Sequence, residues 1–169
     1  MTQLLAHMLR VAVLCIAALG STHASAVGTG EPSPGFALLN AAGELVALDH
    51  LQGRVVYVDF WASWCGPCRR SFPWMNELRQ RYRDTDLVII GINVDKRRSD
   101  ADRFLLQTPA AFTVLFDAAG VTPSAWGVRA MPSSYLIDRQ GKVVAVETGF
   151  DDDRKSAVEE RIRKLLEAH

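Results

Sequence analysis

Cys65 and Cys68 stand two residues apart in Trp64-Cys65-Gly66-Pro67-Cys68. Two thiols at that spacing suit three chemistries: exchanging electrons with a disulfide, holding a metal, or carrying a covalently attached haem. Haem attachment needs a histidine directly after the second cysteine, and position 69 is Arg69. A zinc site takes about four ligands. The other candidates, His50 and His169, are far apart in sequence, so no metal is expected. Redox exchange is the better reading. Only a thiolate attacks a disulfide, and a free cysteine titrates near ~8.5. Cys65 follows an apolar strand and opens a helix, where backbone N–H groups stabilise an anion; Arg69 and Arg70 add positive charge. Cys65 is therefore the expected nucleophile. Cys68, one turn further in, is expected to be more buried and to act as the resolving cysteine. The Cys65 thiolate would attack a partner disulfide to form a mixed disulfide. Cys68 would then attack Cys65, releasing the reduced partner and leaving a Cys65–Cys68 bridge.

Asp59 is an acid inside the apolar run Val55-Val56-Tyr57-Val58-Asp59-Phe60. Burying a lone carboxylate is costly and raises its pKa, and titrating groups of that kind cluster at reactive sites. The alternative is an Asp on a solvated strand face. Trp64 flanks the first cysteine, and an exposed tryptophan there can shield the thiolate and touch a partner. Trp61, Trp74 and Trp126 read as packing residues. Pro132 follows Met131. X–Pro bonds are cis in only ~5–6% of cases in folded proteins, so on spacing alone a trans bond is expected. Lys96-Arg97-Arg98 reads as a solvated loop.

The elements that would position these residues follow from periodicity. Phe36–Leu39 and Leu45–Leu48 flank a Gly-containing turn and read as a β-hairpin. Val55–Phe60 is a buried strand. A helix from about Pro67 to Tyr82 would turn Phe72, Met75, Leu78 and Tyr82 towards the sheet, with a kink at Pro73. Leu87–Val94 reads as a parallel strand covered on both faces. Ser99 is a plausible N-cap for a second helix, with Phe104, Leu105 and Leu106 on its apolar face. Phe112–Phe116 is a strand, and Thr122-Pro123 opens a short helix through Trp126. Ser133–Asp138 and Val143–Val146 make a second hairpin. Asp151-Asp152-Asp153 caps a last amphipathic helix with Val158, Ile162, Leu165 and Leu166 on one stripe. The order ββ–βα–βα–β–α–ββ–α implies a mixed sheet with helices on both faces.

Composition narrows the class. The 169 residues are 49% hydrophobic and 22% charged, with 19 basic and 19 acidic side chains. That suits one soluble globular domain and gives no pull towards nucleic acid. Residues 1–26 read as a secretory signal peptide: Arg10, a short apolar run from Val11 to Leu19, and Ala24-Ser25-Ala26 as a cleavage site. The run falls short of the ~20 residues a spanning helix needs; left uncleaved, the segment would be a membrane anchor. Cleavage removes Cys15, so the domain at residues 27–169 keeps only Cys65 and Cys68. So close a pair constrains the unfolded chain little, which again favours redox chemistry in an exported protein.

Asp59-Phe60-Trp61-Ala62 followed by Trp64-Cys65-Gly66-Pro67-Cys68 resembles the active-site signature of the thioredoxin superfamily. The longer chain and its secretory start are more similar to the extracytoplasmic TlpA/ResA-type thiol–disulfide oxidoreductases, over nearly everything after about residue 30. The resemblance implies an α/β thioredoxin fold: a mixed central β-sheet flanked by helices, with an N-terminal β-hairpin and a central insertion from Lys96 to about Val121. It implies that Asp59 passes protons to and from Cys68. It also reverses the proline expectation, implying a cis Met131–Pro132 bond beside the cysteines, with the Met131 backbone pairing to an extended partner segment. Trp64, Gly66, Pro67, Met131 and Pro132 would then form the substrate-binding surface. The Gly66-Pro67 dipeptide implies a reducing couple near ~−270 mV rather than the ~−120 mV of an oxidase such as DsbA. The implied protein is a periplasmic disulfide reductase without a cofactor. It would act on exported proteins with cysteine pairs, such as apocytochrome c, and be re-reduced by a membrane donor of the DsbD/CcdA kind. Two other functions fit the same motif: a disulfide oxidase or isomerase, and a copper-site assembly factor holding Cu(I) on Cys65 and Cys68, with Met131 as a soft helper.

Overall fold

The computed structural model describes residues 26–168. The expected signal peptide, apart from Ala26, lies outside them, as do Cys15 and His169. The elements are β1 (Ala37–Asn40), β2 (Leu45–Ala47), β3 (Val55–Trp61), α1 (Cys68–Arg81), β4 (Leu87–Asn93), α2 (Arg98–Gln107), β5 (Thr113–Phe116), α3 (Val121–Ala125), β6 (Ser133–Ile137), β7 (Val143–Thr148) and α4 (Lys155–Glu167). This is the element order expected from periodicity. Short 3-10 turns at Leu48–Leu51 and Asp152–Arg154 complete the described residues.

All seven strands join one sheet in the order β2-β1-β5-β4-β3-β6-β7. β3, β4 and β5 are parallel; β6 and β7 continue antiparallel on one side. On the other side β1 runs antiparallel to β5, with Leu39 opposite Phe116 and Asn40 opposite Leu115. The N-terminal hairpin is thus no separate appendage. It extends the sheet from the strand that the insertion supplies.

β3 is buried along its whole length. Its alternate side chains serve two cores, as the period of a strand requires. Val55, Tyr57 and Trp61 face a layer built by Phe72, Met75 and Leu78 of α1, Ala101 and Phe104 of α2, and Val158 and Ile162 of α4. Val56, Val58 and Phe60 face Trp126, Leu48, Phe36 and Val27. Helices do cover both faces, but unevenly. The steps β3–α1–β4 and β4–α2–β5 move outward in one direction, and right-handed crossovers then place α1 and α2 on the same side. Each fully buried Phe, Leu or Met contributes about 1.5–3 kcal/mol, so these layers hold the strand ends where the cysteines lie.

α1 runs through Pro73 as one helix; the carbonyl left without a donor belongs to Arg69, on the exposed first turn. Two local expectations are revised. α2 begins at Arg98, so Ser99 lies inside it. Ion pairs Arg97–Asp100 at 2.9 Å and Arg98–Asp102 at 2.7 Å brace that turn instead, and Leu106 points to solvent. α3 begins at Val121, so Thr122 is not its N-cap and Pro123 is not its first residue. The Asp117 carboxylate accepts from the N–H groups of Gly120 (2.9 Å), Val121 (3.4 Å) and Thr122 (2.7 Å). Gly120 makes the turn at φ 74°, a value few other residues adopt.

Candidate active site

β3 ends at Trp61 and α1 begins at Cys68, so the intervening turn hangs from the most buried strand of the sheet. Cys65 and Cys68 are joined as a disulfide. Cys68, in the first turn of α1, is 0% exposed, and Cys65 is 3% exposed. The Cys68 N–H donates to Cys65 Sγ at 3.2 Å, and the Cys65 N–H donates to the Ala62 carbonyl at 3.0 Å. A backbone dipole is therefore aimed at the first sulfur. Trp64, Gly66 and Pro67 form the exposed rim around it, with Trp64 at 69% exposure.

The turn is held from the neighbouring strand. The Asp95 carboxylate accepts from Ser63 N–H and from Ser63 Oγ, both at 2.9 Å. It also accepts from Asn93 Nδ2 at 2.8 Å, while Asn93 Oδ1 accepts the Asp95 N–H at 3.1 Å. Asp95 and Asn93 are both buried. Sequence reasoning passed over these residues. The available signal was an acid directly after the apolar run of β4, at the end of the sheet where the cysteine turn leaves β3.

Asp59 is 2% exposed, which excludes a solvated strand face. Burial pushes its carboxyl well above the usual carboxylate range. Its Oδ2 has no hydrogen-bond partner among the described residues. Two residues on either side, Tyr57 and Trp61 belong to the layer that contains Cys68, so Asp59 faces that layer as well.

The Met131–Pro132 bond is cis. Phe60 lies opposite Ser133 across β3 and β6. Pro132 therefore precedes β6 at the same end of the sheet where the cysteine turn departs. The Pro132 carbonyl accepts from Gly149 N–H at 2.8 Å, and Ser133 Oγ donates to the Ala130 carbonyl at 2.8 Å.

The Redoxin family profile matches residues 28–162 of this chain. The chain belongs to the redoxin family. It is 32% identical over 136 residues to the thiol-disulfide oxidoreductase ResA of Bacillus thuringiensis subsp. konkukian, covering 80% of this chain and 78% of that protein. It is 32% identical over 146 residues to ResA of Geobacillus thermodenitrificans, covering 82% and 84%. Among solved structures, a Chlorobium tepidum protein assigned as thiol:disulfide interchange protein DsbE matches with a TM-score of 0.80 and 47% identity, over 83% of this chain and 99% of that one. Fold, family and the cysteine pair agree on an enzyme of the thiol–disulfide oxidoreductase class.

The remaining candidates fall into place around the redoxin core. Trp61 is buried between Phe72 and Phe104, with ring centroids at 4.9 and 4.8 Å. Trp74 packs on Tyr57, and Trp126 on Phe60 and Tyr135. Met131 is half-buried and packs against both cores. Arg69 and Arg70 each have partners on other elements. The Arg69 guanidinium lies over the Phe104 ring at 4.9 Å and donates to Gln107 Oε1 at 3.2 Å. Arg70 donates to Asp152 and to the Phe150 carbonyl, each at 3.4 Å. They tie the first turn of α1 to α2 and to the segment before α4. The Lys96–Arg98 run is likewise occupied locally, by the Ala118 carbonyl, Asp100 and Asp102.

Proposed function

We propose that this redoxin is an extracytoplasmic protein-disulfide reductase that works by dithiol–disulfide exchange. The observation that carries the reading is the asymmetry of the pair. Cys65 sits under an exposed rim and receives an amide N–H, whereas Cys68 is fully enclosed one residue into the helix. Such an arrangement makes one sulfur the attacker and the other the resolver. The Cys65 thiolate attacks a partner disulfide, and one partner sulfur leaves as a thiolate. Cys68 then attacks Cys65 of the mixed disulfide. The second partner sulfur leaves, the partner is reduced by two electrons, and the Cys65–Cys68 bridge forms. Electrons travel on sulfur, so the cycle needs no cofactor.

Asp59 takes the Cys68 proton as that thiol attacks; its burial and raised pKa support a proton carrier rather than a fixed charge. Trp64, Gly66 and Pro67 form one wall for the partner. Met131 and Pro132 form the other, with the Met131 backbone pairing to an extended segment. Residues 1–26 act as a signal peptide that delivers the domain at 27–169 to the periplasm. Among the described residues no helix is long and apolar enough to cross a membrane. The partners are exported proteins with disulfides, apocytochrome c among them. Electrons are restored by a membrane donor of the DsbD/CcdA kind, because an oxidising compartment offers no soluble reductant.

Trapping tests this. With Cys68→Ser the resolving step is blocked, and periplasmic partners accumulate as mixed disulfides at Cys65 that reductant releases. If Cys68→Ser captures nothing while Cys65→Ser captures partners, the assignment of the two cysteines is wrong.

A further inference from the structure

A proton carrier at position 59 has to exchange its proton with solvent, yet Asp59 is sealed in the core with Oδ2 unpartnered among the described residues. The strand register narrows the ways out. On β4 the residue opposite Asp59 is Gly91, which offers no side chain. Rings fill the space above it: a Cβ on Gly91 would lie 2.9 Å from Phe112 and 3.2 Å from Trp61 Nε1. On β6 the residue opposite Asp59 is Ser134, and on β7 the residue opposite Ser134 is Glu147. Directly opposed residues on antiparallel strands have Cβ atoms about 4.5–5.5 Å apart. Three polar side chains therefore stand in one row across three strands. The adjacent row on that face, Tyr57, Leu136 and Ala145, belongs to the apolar layer beneath the helices.

The row runs from dry to wet: Asp59 is 2% exposed, Ser134 6%, and the Glu147 side chain 20%. A cavity of about 20 Å³, lined by Tyr57, Ser134 and Glu147, opens at its outer end; that is room for about one water molecule. The charged groups facing the row are few. Arg154 and Arg161 pair with the Glu147 carboxylate at 3.0 and 3.3 Å, and Asp151 and Lys155 border the cavity. The buried Tyr57 phenol is pushed up by burial and by the charge of Asp59, pulled down by its hydrogen bond with Ser134, and pushed up again by Glu147. Asp59, Ser134 and Glu147 thus all act on the Tyr57 phenol beside the row.

We infer that Ser134 relays protons between Asp59 and Glu147, the exit to solvent. The inference rests on the reading of Asp59 as the proton carrier for Cys68. As the Cys68 sulfur bonds to Cys65, its proton passes to the Asp59 carboxylate and the partner leaves as a thiolate. The Asp59 carboxyl then gives a proton to the Ser134 hydroxyl oxygen while that hydroxyl donates its own to Glu147. Glu147 releases it to water, and rotation of the Ser134 hydroxyl resets the row. One proton leaves per turnover, and the direction reverses when the bridge is reduced.

The test is the single-turnover rate of the resolving step in the full domain, after Cys65 is loaded with a chromogenic disulfide, measured in light and heavy water. Ser134→Ala is expected to slow this step about ten-fold and to enlarge its solvent isotope effect, with Cys65 alkylation unchanged. Ser134→Thr, which keeps a hydroxyl, recovers most of the rate. Glu147→Gln, at the surface and outside the packed layer, slows the step several-fold. A wild-type rate in Ser134→Ala or in Glu147→Gln overturns the relay, as does a slowed rate with an unaltered isotope effect. Asp59→Asn separates the two layers of the argument. If it slows the step and Ser134→Ala does not, only the relay falls; if it too leaves the rate unchanged, the proton-carrier reading falls with it.

Discussion

Replacing Asp95 with alanine removes the acceptor of three hydrogen bonds: two from Ser63, in the turn before Cys65, and one from Asn93. Asn93 is buried, so its amide is left stranded, at a cost of about 1–3 kcal/mol. Ser63 is half-buried, and water can replace part of what it loses, leaving about 1 kcal/mol for each of its two contacts. The sum is roughly 3–5 kcal/mol, a large share of the 5–15 kcal/mol that holds a domain of this kind together. Asp95→Asn is the informative control. Its oxygen can still accept from Ser63 N–H and Asn93, and its NH₂ can donate to Ser63 Oγ, so it is expected to lose only about 1 kcal/mol. Urea unfolding of the oxidised proteins measures both values. The same contacts aim the turn, so reduced Asp95→Ala is also expected to alkylate at Cys65 several-fold more slowly at pH 7, while Asp95→Asn stays close to wild type. Unfolding of Asp95→Ala at the wild-type midpoint would refute the reasoning. Faster alkylation in both variants would show that Asp95 acts through its charge and not through position.

Other expectations follow from burial. The folded-state pKa of Asp59 lies above its unfolded value near ~3.9. Protonated Asp59 is therefore compatible with the fold, and stability is lost as pH rises through the folded-state value, by about 1.4 kcal/mol per unit of elevation. Melting of oxidised Asp59→Asn should exceed wild type at pH 8 and converge with it near pH 4; a constant offset would contradict the assignment. Gly91→Ala drives a methyl against Phe112 and Trp61, and chemical denaturation should show a loss of about 1–3 kcal/mol. Trp64→Ala removes a largely exposed ring. Stability should stay within about 0.5 kcal/mol, while KM for a protein disulfide rises several-fold at nearly constant kcat.

The strands, the order of elements and the cysteine turn were legible because their signals are local. β3 and β4 are mostly apolar runs, and a Cys pair between a strand and a helix has few uses. The cis bond at Pro132 was legible only through resemblance, since spacing alone favours trans. What escaped the sequence was pairing between distant segments. Nothing local tells Asp95 that its partner is Ser63. The partners that hold Arg69 and Arg70, namely Phe104, Gln107, Phe150 and Asp152, lie far along the chain and were hidden too. The edge pairing of β1 with β5 was hidden for the same reason. Register across a sheet cannot be read from one strand, and the Asp59–Ser134–Glu147 row becomes visible only when three strands are laid side by side.

The central claim is that Cys65 is an acidified thiol poised to attack disulfides. The pH dependence of its alkylation in the reduced domain, with Cys68→Ser isolating the single thiol, tests this most directly. A midpoint near ~7, as in thioredoxin itself, is the predicted result. A midpoint near the ~8.5 of free cysteine would contradict the account.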